Sequence, residues 1–354
     1  MTQLPRISVA LLLALAVGGS APAWAQVAKC TICHAKTDLK KTLPSGQVVS
    51  LYVDEARLGH SAHGNKACTD CHADVQEIPH SKTPEPVDCT RCHFKANQAG
   101  APTDVDYGAY RNSVHGRLAA KGDPRAPTCQ SCHGDHQVFG ADDPRSKIAR
   151  ANVPETCGTC HLDAYNEYID SAHGQGVKSG QAPDAAICTD CHGEHDIIEP
   201  TDPNSKAYAS HVSESCARCH DALPLMSKYG IEVEQVATYA ESYHGLANHF
   251  GSVTVANCAS CHGWHDIRSP DDPKSSVNPA HIAETCGKCH EGTNANYTAG
   301  KMHVDAQNPD AGIIYWVAQF FKWLTISTMV ALLAHIFLDL NYRAREARKR
   351  SHRH

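Results

Sequence analysis

The first apolar stretch of the chain lies at its N terminus. Eleven residues from Ile7 to Val17 are almost all apolar, follow Arg6, and precede the sequence Ala-Trp-Ala at 23–25. A basic start, a short apolar run and small residues at a cleavage site are typical of an export signal. We therefore predict a signal peptide over 1–25, with an uncleaved N-terminal anchor as the alternative.

A second, longer apolar stretch lies near the C terminus. It runs for 28 residues from Ile313 to Leu340, which is long enough to cross a bilayer as one helix. The tail behind it carries six basic residues and one acidic residue. Because basic flanks stay on the cytoplasmic side, we predict a transmembrane anchor over 306–341 and a cytoplasmic tail over 342–354. A helix buried in a globular body is the alternative, but such a helix needs no basic tail.

All eighteen cysteines between these stretches occur in the pattern Cys-x-x-Cys-His, which is present nine times. This is the attachment motif of c-type haem, in which the two thiols bind the porphyrin and the histidine ligates the iron. A zinc array needs no histidine after every second cysteine, and a disulfide framework does not confine every cysteine to this spacing. We therefore predict nine covalently attached haems c. The cysteines are Cys30, Cys33, Cys68, Cys71, Cys89, Cys92, Cys129, Cys132, Cys157, Cys160, Cys188, Cys191, Cys216, Cys219, Cys258, Cys261, Cys286 and Cys289. The motif histidines, called proximal below, are His34, His72, His93, His133, His161, His192, His220, His262 and His290.

Three repeats carry six of the nine motifs. They span 113–161, 171–220 and 242–290, and the first cysteines of the two motifs in each are 28 residues apart. Each repeat opens with Ser-x-His-Gly, continues through Cys-x-x-Cys-His-Gly-x-His and ends with Glu-x-Cys-x-x-Cys-His. Because each haem is tied to the backbone at three points, the fixed spacing predicts a fixed haem–haem geometry. The predicted organisation is a trihaem region over 26–98, followed by the three dihaem repeats within 99–305.

The trihaem region is less regular than the repeats. A Ser-x-His-Gly sequence at 61–64 precedes the motifs at 68–72 and 89–93, so this part is similar to a degenerate repeat with the motif at 30–34 added in front. In the regular repeats a tyrosine stands three residues before the serine. We expect this tyrosine to lie on a short helix, where it packs on a porphyrin or on another helix.

The composition determines the expected fold class. Aromatic residues make up 6% of the chain, and 24 glycines and 19 prolines are spread along it, so an ordinary apolar core cannot form. The haems would take the place of that core. We predict a mainly α-helical, repeat-built protein with much irregular loop, almost no sheet and one C-terminal transmembrane helix.

The second axial ligand of each iron decides between electron transfer and catalysis. Of the 25 histidines, nine are proximal, and ten others occupy positions where a second ligand is expected. A Gly-x-His histidine follows a proximal histidine by three residues, so it cannot reach the far face of the same haem and should ligate a neighbouring one. His303 lies 59 residues after His244, where a fourth Ser-x-His would begin. The ten predicted second ligands are His60, His63, His80, His115, His136, His173, His195, His244, His265 and His303.

This supply of histidines is sufficient for both axial positions of nine irons. We therefore expect six-coordinate, low-spin haems, no position open to substrate and no catalytic residue. We expect His211, His249 and His281 to be structural. His335, inside the predicted span, is left as a candidate ligand of a b-type haem.

Charge narrows the choice of partners. The formal net charge of −6 combines a basic tail with a more acidic body. An acidic body does not attract nucleic acid or an anionic lipid surface. We therefore predict no nucleic-acid partner, and we expect periplasmic redox proteins and the anchoring membrane as partners.

The paired motifs, followed by Gly-x-His-Asp-Ile at 193–197 and 263–267, resemble those of the doubled-CxxCH multihaem cytochromes c. The resemblance covers about residues 30–303. It implies electron transfer between the quinone pool and periplasmic or extracellular acceptors in anaerobic respiration. The chain departs from the small tetrahaem quinol dehydrogenases, whose anchor is N-terminal, and this puts direct quinol oxidation in doubt. Its C-terminal anchor is more similar to that of a haem subunit docked beside an inner-membrane b-type cytochrome or another quinone-reactive subunit.

Two functions are open at this point. In the first, the periplasmic body transfers electrons between a membrane partner near the haem of His290 and acceptors near the haem of His34, in either direction. In the second, one open haem among the first three motifs reduces a small oxyanion such as nitrite or tetrathionate. The chain has no Cys-x-x-Cys-Lys motif and no nucleotide-binding motif, which favours electron transfer. A filament-forming cytochrome is disfavoured by the anchor.

Overall fold

A computed structural model describes residues 23–43, 46, 48–102, 107–300 and 302–351 of the chain. It confirms the predicted fold class, because the described part is mainly helical with much irregular loop and one pair of short strands. The chain divides into two units, Met1–Cys157 and Gly158–His354. The predicted signal peptide lies outside the described residues except for positions 23–25, and the end of the predicted tail lies outside them as well.

Short helices carry the attachment motifs of the first unit. The chain between the first two motifs forms an antiparallel pair of strands, β1 (Lys40–Thr42) and β2 (Val48–Ser50), with Lys41 opposite Val49. The helices are α1 (Ala23–His34), α2 (Glu55–Gly59), α3 (Cys68–Cys71), α4 (Tyr107–Asn112), α5 (Val114–Ala120), α6 (Cys129–His133) and α7 (Val153–Gly158), with 3-10 turns at Cys89–Arg91 and Arg150–Asn152.

The second unit repeats the same order of elements twice and ends in a long helix. A short insertion between its two repeats forms one helix and one 3-10 turn. The helices are α8 (Leu162–Ile169), α9 (Ala172–Ser179), α10 (Cys188–His192), α11 (Val212–His220), α12 (Leu223–Met226), α13 (Glu234–Glu241), α14 (Tyr243–His249), α15 (Cys258–His262), α16 (Ile282–Gly287) and α17 (Ile313–Ser351), with 3-10 turns at Ser227–Tyr229 and Pro309–Ala311.

The Ser-x-His-Gly sequence starts a helix in each regular repeat. Ser171 has an extended backbone, and its hydroxyl accepts a hydrogen bond from the backbone N–H of Gly174 at 3.1 Å. The same N-cap bond is present in the other two regular repeats. Because the cap determines where the helix begins, it also positions the histidine two residues after the serine.

The glycine of this sequence allows two helices to meet closely. A Cβ atom at Gly174 would lie 2.1 Å from the carbonyl oxygen of Tyr168, at the end of the preceding helix. At the corresponding glycines of the other two repeats the distance would be 1.9 and 2.0 Å. Since no side chain fits there, glycine is the residue that lets the histidine-bearing helix pack against the helix before it.

The tyrosine before the serine connects this helix pair to the next attachment motif. The hydroxyl of Tyr168 donates to the carbonyl oxygen of Ala186 at 3.0 Å, two residues before Cys188. The equivalent bonds in the other two regular repeats measure 2.7 and 3.0 Å. The tyrosine therefore fixes the opening histidine relative to the motif that follows.

Few apolar side chains are buried in the described part of the chain. Buried serines, which lie between the two motifs of each repeat, donate their hydroxyl protons to the carbonyl oxygens seven residues earlier. This small interior agrees with the expectation that a group other than amino-acid side chains fills the body. The buried apolar residues are Phe139, Ala149, Val153, Tyr168, Ile187, Val212, Met226 and Ala259.

The last helix, α17, has the length and composition of a membrane span. It contains 39 residues, its most apolar segment has a mean hydropathy of 1.7, and that segment is entirely unburied. The core helix of a globular protein would be mostly buried by other parts of the chain. The exposure of α17 therefore favours a lipid environment for this helix. Residues 309–311, inside the region predicted as anchor, form a 3-10 turn before the helix begins.

Replacing Gly174 with alanine tests the close contact between helices. The added methyl group collides with a backbone carbonyl, so we expect Gly174→Ala to lower the free energy of unfolding by about 1–3 kcal/mol. Thermal unfolding monitored by circular dichroism measures this. Gly140→Ala is the matched control, because a Cβ atom there meets nothing within 4 Å. Equal stability of the two variants would contradict the packing role.

Candidate haem-binding sites

Seven proximal histidines face a second histidine ring at a nearly constant distance. The ring centroids are 6.0–6.3 Å apart, whereas the angle between the ring planes varies from 9° to 73°. Stacked rings would have a constant angle between their planes. A constant distance with a variable angle indicates instead that the two rings lie on a common axis. The pairs are His34–His80, His93–His63, His72–His136, His220–His173, His192–His265, His290–His244 and His262–His303.

The distance between paired rings fits one iron between two imidazoles. An imidazole nitrogen lies about 2 Å from the transition metal that it binds, and the ring centre lies about 1 Å behind that nitrogen. Two rings on opposite sides of one ion therefore have centroids about 6 Å apart. The donor set and the spacing both match a six-coordinate haem iron.

Hydrogen bonds on the outer side of the rings fix their orientation. The Nδ1 atom of His34 donates to the carbonyl oxygen of Leu51 at 2.8 Å, and that of His80 donates to the carbonyl oxygen of Lys82 at 3.0 Å. The Nδ1 atom of His93 donates to Pro102 at 3.3 Å. Since a carbonyl can only accept, Nδ1 carries the proton and Nε2 is left as the metal ligand.

Burial and the facing ring keep the paired imidazoles in the neutral state that binds metal. Burial and, second, the neighbouring His220 lower the pKa of His173 to about 4. Burial also lowers the pKa of His192 and of His262, and the ring facing each adds to the effect. At neutral pH these histidines are therefore uncharged, as a metal ligand must be, and not cations that would repel each other.

The thiols of consecutive motifs lie against each other. Cys30 hydrogen-bonds with Cys68, Cys89 with Cys129, and Cys216 with Cys258. The bond between the third and fourth motifs raises the pKa of the Cys89 thiol and lowers that of Cys129 to about 6.

Further electrostatic interactions between thiols complete a series within each unit. They connect Cys71 with Cys92, Cys191 with Cys219, and Cys261 with Cys286. In the first unit the contacts run through the first four motifs in sequence order. In the second unit they run through the last four.

The pairs follow one rule. The histidine of Ser-x-His faces the closing motif of its own repeat, as in His173–His220 and His244–His290. The histidine of Gly-x-His faces the first motif of the repeat before it, as His265 faces His192. The first type of pair closes a repeat, and the second type connects a repeat to its neighbour.

This rule changes the interpretation of His303 and supports that of the N-terminal region. His303 faces His262, the first motif of the last repeat, so it corresponds to Gly-x-His and not to the Ser-x-His that its spacing indicated. In the N-terminal region His63 faces His93, as the histidine of an opening Ser-x-His does. Residues 61–93 thus behave as a repeat, and the motif at 30–34 is the addition.

A backbone hydrogen bond connects neighbouring repeats near the paired rings. The N–H of Ala62, inside Ser-x-His, donates to the carbonyl oxygen of Val138 at 2.8 Å. The N–H of Ala172 donates in the same way to Ile267 at 2.8 Å. In both cases the acceptor lies two residues after a Gly-x-His histidine, so the two kinds of second ligand are held together.

Comparison with known proteins agrees with this geometry. The family described as outer membrane cytochrome MtrC/MtrF-like, domains II/IV, matches residues 61–227, a little under half of the chain, which contain six of the motifs. These observations support a multihaem c-type cytochrome. In such a cytochrome the motif cysteines hold haem c covalently. Searches of curated proteins and of solved structures give no match.

The other predicted second ligands have different surroundings. His60 is exposed at the end of α2, where its Nδ1 donates to the carbonyl oxygen of Ala56 at 2.6 Å, and it is outside the seven pairs of the described chain. Its assignment as a ligand remains a prediction without a facing proximal ring. Four more site histidines make contacts of their own: His115, His133, His161 and His195.

Two histidines expected to be structural close loops between motifs. His211 Nδ1 donates to the carbonyl oxygen of Ser205 at 2.8 Å, and His281 Nε2 donates to Pro273 at 2.9 Å. Each lies five residues before a closing motif. In the first regular repeat Asn152 stands at the same position and donates to Ser146 at 2.8 Å, so a hydrogen-bond donor and not a metal ligand is needed there.

The residues that contact the outer nitrogens of two predicted second ligands belong to no motif of the sequence. Glu167 Oε2 lies 3.3 Å from Nδ1 of His265, and Thr238 Oγ1 lies 3.1 Å from Nδ1 of His303. Both stand four residues before the serine of Ser-x-His. The constant distance from the serine could have identified this position in the sequence, although one residue is a glutamate and the other a threonine.

His63 and His60 provide a matched test of the paired rings. His63→Ala removes the ring that faces His93, so one haem should become high-spin and bind carbon monoxide. The carbon monoxide difference spectrum of the reduced protein measures the change, with an amplitude of about one haem. His60→Ala should leave the spectrum unchanged. A spectral change in His60→Ala, or none in His63→Ala, would show that the pairing is wrong.

Proposed function

We propose that this cytochrome is a nine-haem electron conductor, anchored in the inner membrane with its haem body in the periplasm. The observation that carries the proposal is the set of facing imidazole pairs. A haem iron bound by two imidazoles supplies one-electron transfer and has no position open to substrate. The chain would therefore bind and position nine redox centres and perform no bond-making chemistry.

The thiol series supports conduction along the chain. Each motif cysteine would carry one edge of its own cofactor, so two adjacent cysteines of different motifs, such as Cys216 and Cys258, bring two attachment sites together. The N-cap serines, the close-packing glycines and the tyrosine hydroxyls hold these sites on short, connected helices. A rigid support of this kind keeps the distance between redox centres constant.

The pairing in the N-terminal region favours conduction over catalysis. An oxyanion reductase needs one iron with an open face, and the first three motifs were the expected place for it. His34, His72 and His93 each face a second ring, at 6.2, 6.1 and 6.0 Å. These pairs support six-coordination at all three motifs.

The C-terminal helix supports an inner-membrane location. Bacterial outer membranes are generally spanned by closed β-barrels, whereas a single apolar helix is the usual anchor in an inner membrane. Aromatic residues lie near the start of α17 at Trp316 and Trp323, and the basic residues follow its apolar part. By the positive-inside rule the tail then lies in the cytoplasm and the haem body lies in the periplasm.

The position of His303 indicates where electrons would exchange with the membrane. It lies ten residues before Ile313, the first residue of α17, and it faces His262. We therefore place exchange with a b-type cytochrome or another quinone-reactive subunit at the His262–His303 pair, in addition to the expected His290. At the other end of the sequence, Cys33 and His80 are exposed and suit exchange with periplasmic redox proteins that pass electrons to periplasmic or extracellular acceptors in anaerobic respiration.

The intact protein in detergent tests the proposal. Its mass should include nine haems, its spectrum should be low-spin, and carbon monoxide should leave the reduced spectrum unchanged because no axial position is open. It should also stay in the membrane fraction at high salt and be released by detergent. A carbon monoxide complex of the native protein, or turnover of nitrite or tetrathionate with a reduced dye, would favour the oxidoreductase instead.

A further inference from the structure

Glu167 lies beside the second ligand of one haem site. Its Oε2 atom is 3.3 Å from Nδ1 of His265, and the ring of His265 faces His192 at 6.2 Å. Because a carboxylate accepts, Nδ1 of His265 donates the proton and Nε2 remains for the iron. Glu167 thus contacts no metal and acts through the histidine.

The next repeat has a different residue in the same place. Thr238 Oγ1 lies 3.1 Å from Nδ1 of His303, whose ring faces His262. The threonine hydroxyl donates its own proton to the carbonyl oxygen of Gln235 at 3.0 Å, so its oxygen accepts from the histidine. One position of the repeat therefore meets the outer nitrogen of the histidine that faces the first motif of that repeat.

The two acceptors differ in charge. A carboxylate is anionic, so a hydrogen bond to it makes the imidazole a stronger donor to the metal and stabilises the more positive ferric state. A hydroxyl is neutral and has a smaller effect. Arg57 and Ala109 stand at the same offset in the other two repeats, so the residue type at this position changes along the chain.

We propose that Glu167 is a positioning residue that lowers the reduction potential of the haem attached at Cys188 and Cys191. The inference rests on the proposed function, since it requires a haem iron between His192 and His265. It assigns to this repeat position the role of setting differences in potential between otherwise similar sites.

Glu167→Gln in the full-length protein tests the proposal by spectroelectrochemical titration. The amide keeps the size and an acceptor oxygen but removes the charge, so one of the nine components should be reduced more easily. We expect a change of about tenfold in its reduction equilibrium, which corresponds to about 59 mV for one electron. The side chain of Glu167 is 58% exposed, so the fold should not change.

Asp163→Asn is the matched control, because it removes the same charge from the first turn of the same helix. A shift of about one-ninth of the absorbance change in Glu167→Gln, with Asp163→Asn unchanged, supports the proposal. Superimposable titrations of Glu167→Gln and the wild type, or an equal shift in Asp163→Asn, would overturn it. Missing haem or a high-spin signal in the wild type would contradict the proposed function instead, so the two failures are distinguishable.

Discussion

The shared axis between two imidazoles is the constraint on which the rest of the haem-bearing body depends. One ring of each pair belongs to the histidine that directly follows the second cysteine of the motif. The other ring comes from a distant part of the chain. Seven pairs reach the same centroid separation, 6.0–6.3 Å, although their partners lie between 30 and 73 residues apart in sequence. The short helices, their caps and the loops between them serve to bring the second ring to that position.

This constraint also explains why the body needs so little apolar interior. In the proposed cytochrome, covalent attachment at two thiols and ligation by two histidines would connect four points of the chain through one cofactor. Such connections reduce the conformational freedom of the unfolded chain, as other cross-links do. Hydrogen bonds from buried serines and from His211, His281 and Asn152 then hold the loops between motifs. The described body thus combines a small apolar interior with many loop hydrogen bonds, and the proposed cofactor connections would add to its stability.

Haem attachment can be predicted from the sequence because its motif is local. The attachment motif spans five residues, and the N-cap serine, ligand histidine and glycine of Ser-x-His-Gly span four. The partner of each ring could not be predicted, because it depends on the tertiary fold, within one repeat for Ser-x-His and between repeats for Gly-x-His. His303 was assigned to the wrong kind of position for this reason: its spacing from His244 resembles that of one repeat opening from the next. His63 stands in Ser-x-His-Gly and His60 does not, but only the fold shows which ring faces a motif. Glu167 and Thr238 were missed because their histidine partners lie 98 and 65 residues away.

The decisive measurement of bis-imidazole ligation is near-infrared magnetic circular dichroism of the fully oxidised, full-length protein, because its charge-transfer bands identify the two axial ligands of ferric haem. We expect bands of bis-imidazole coordination alone, with an intensity that corresponds to all nine haems. Bands of histidine–methionine or of high-spin haem in the native protein would contradict it.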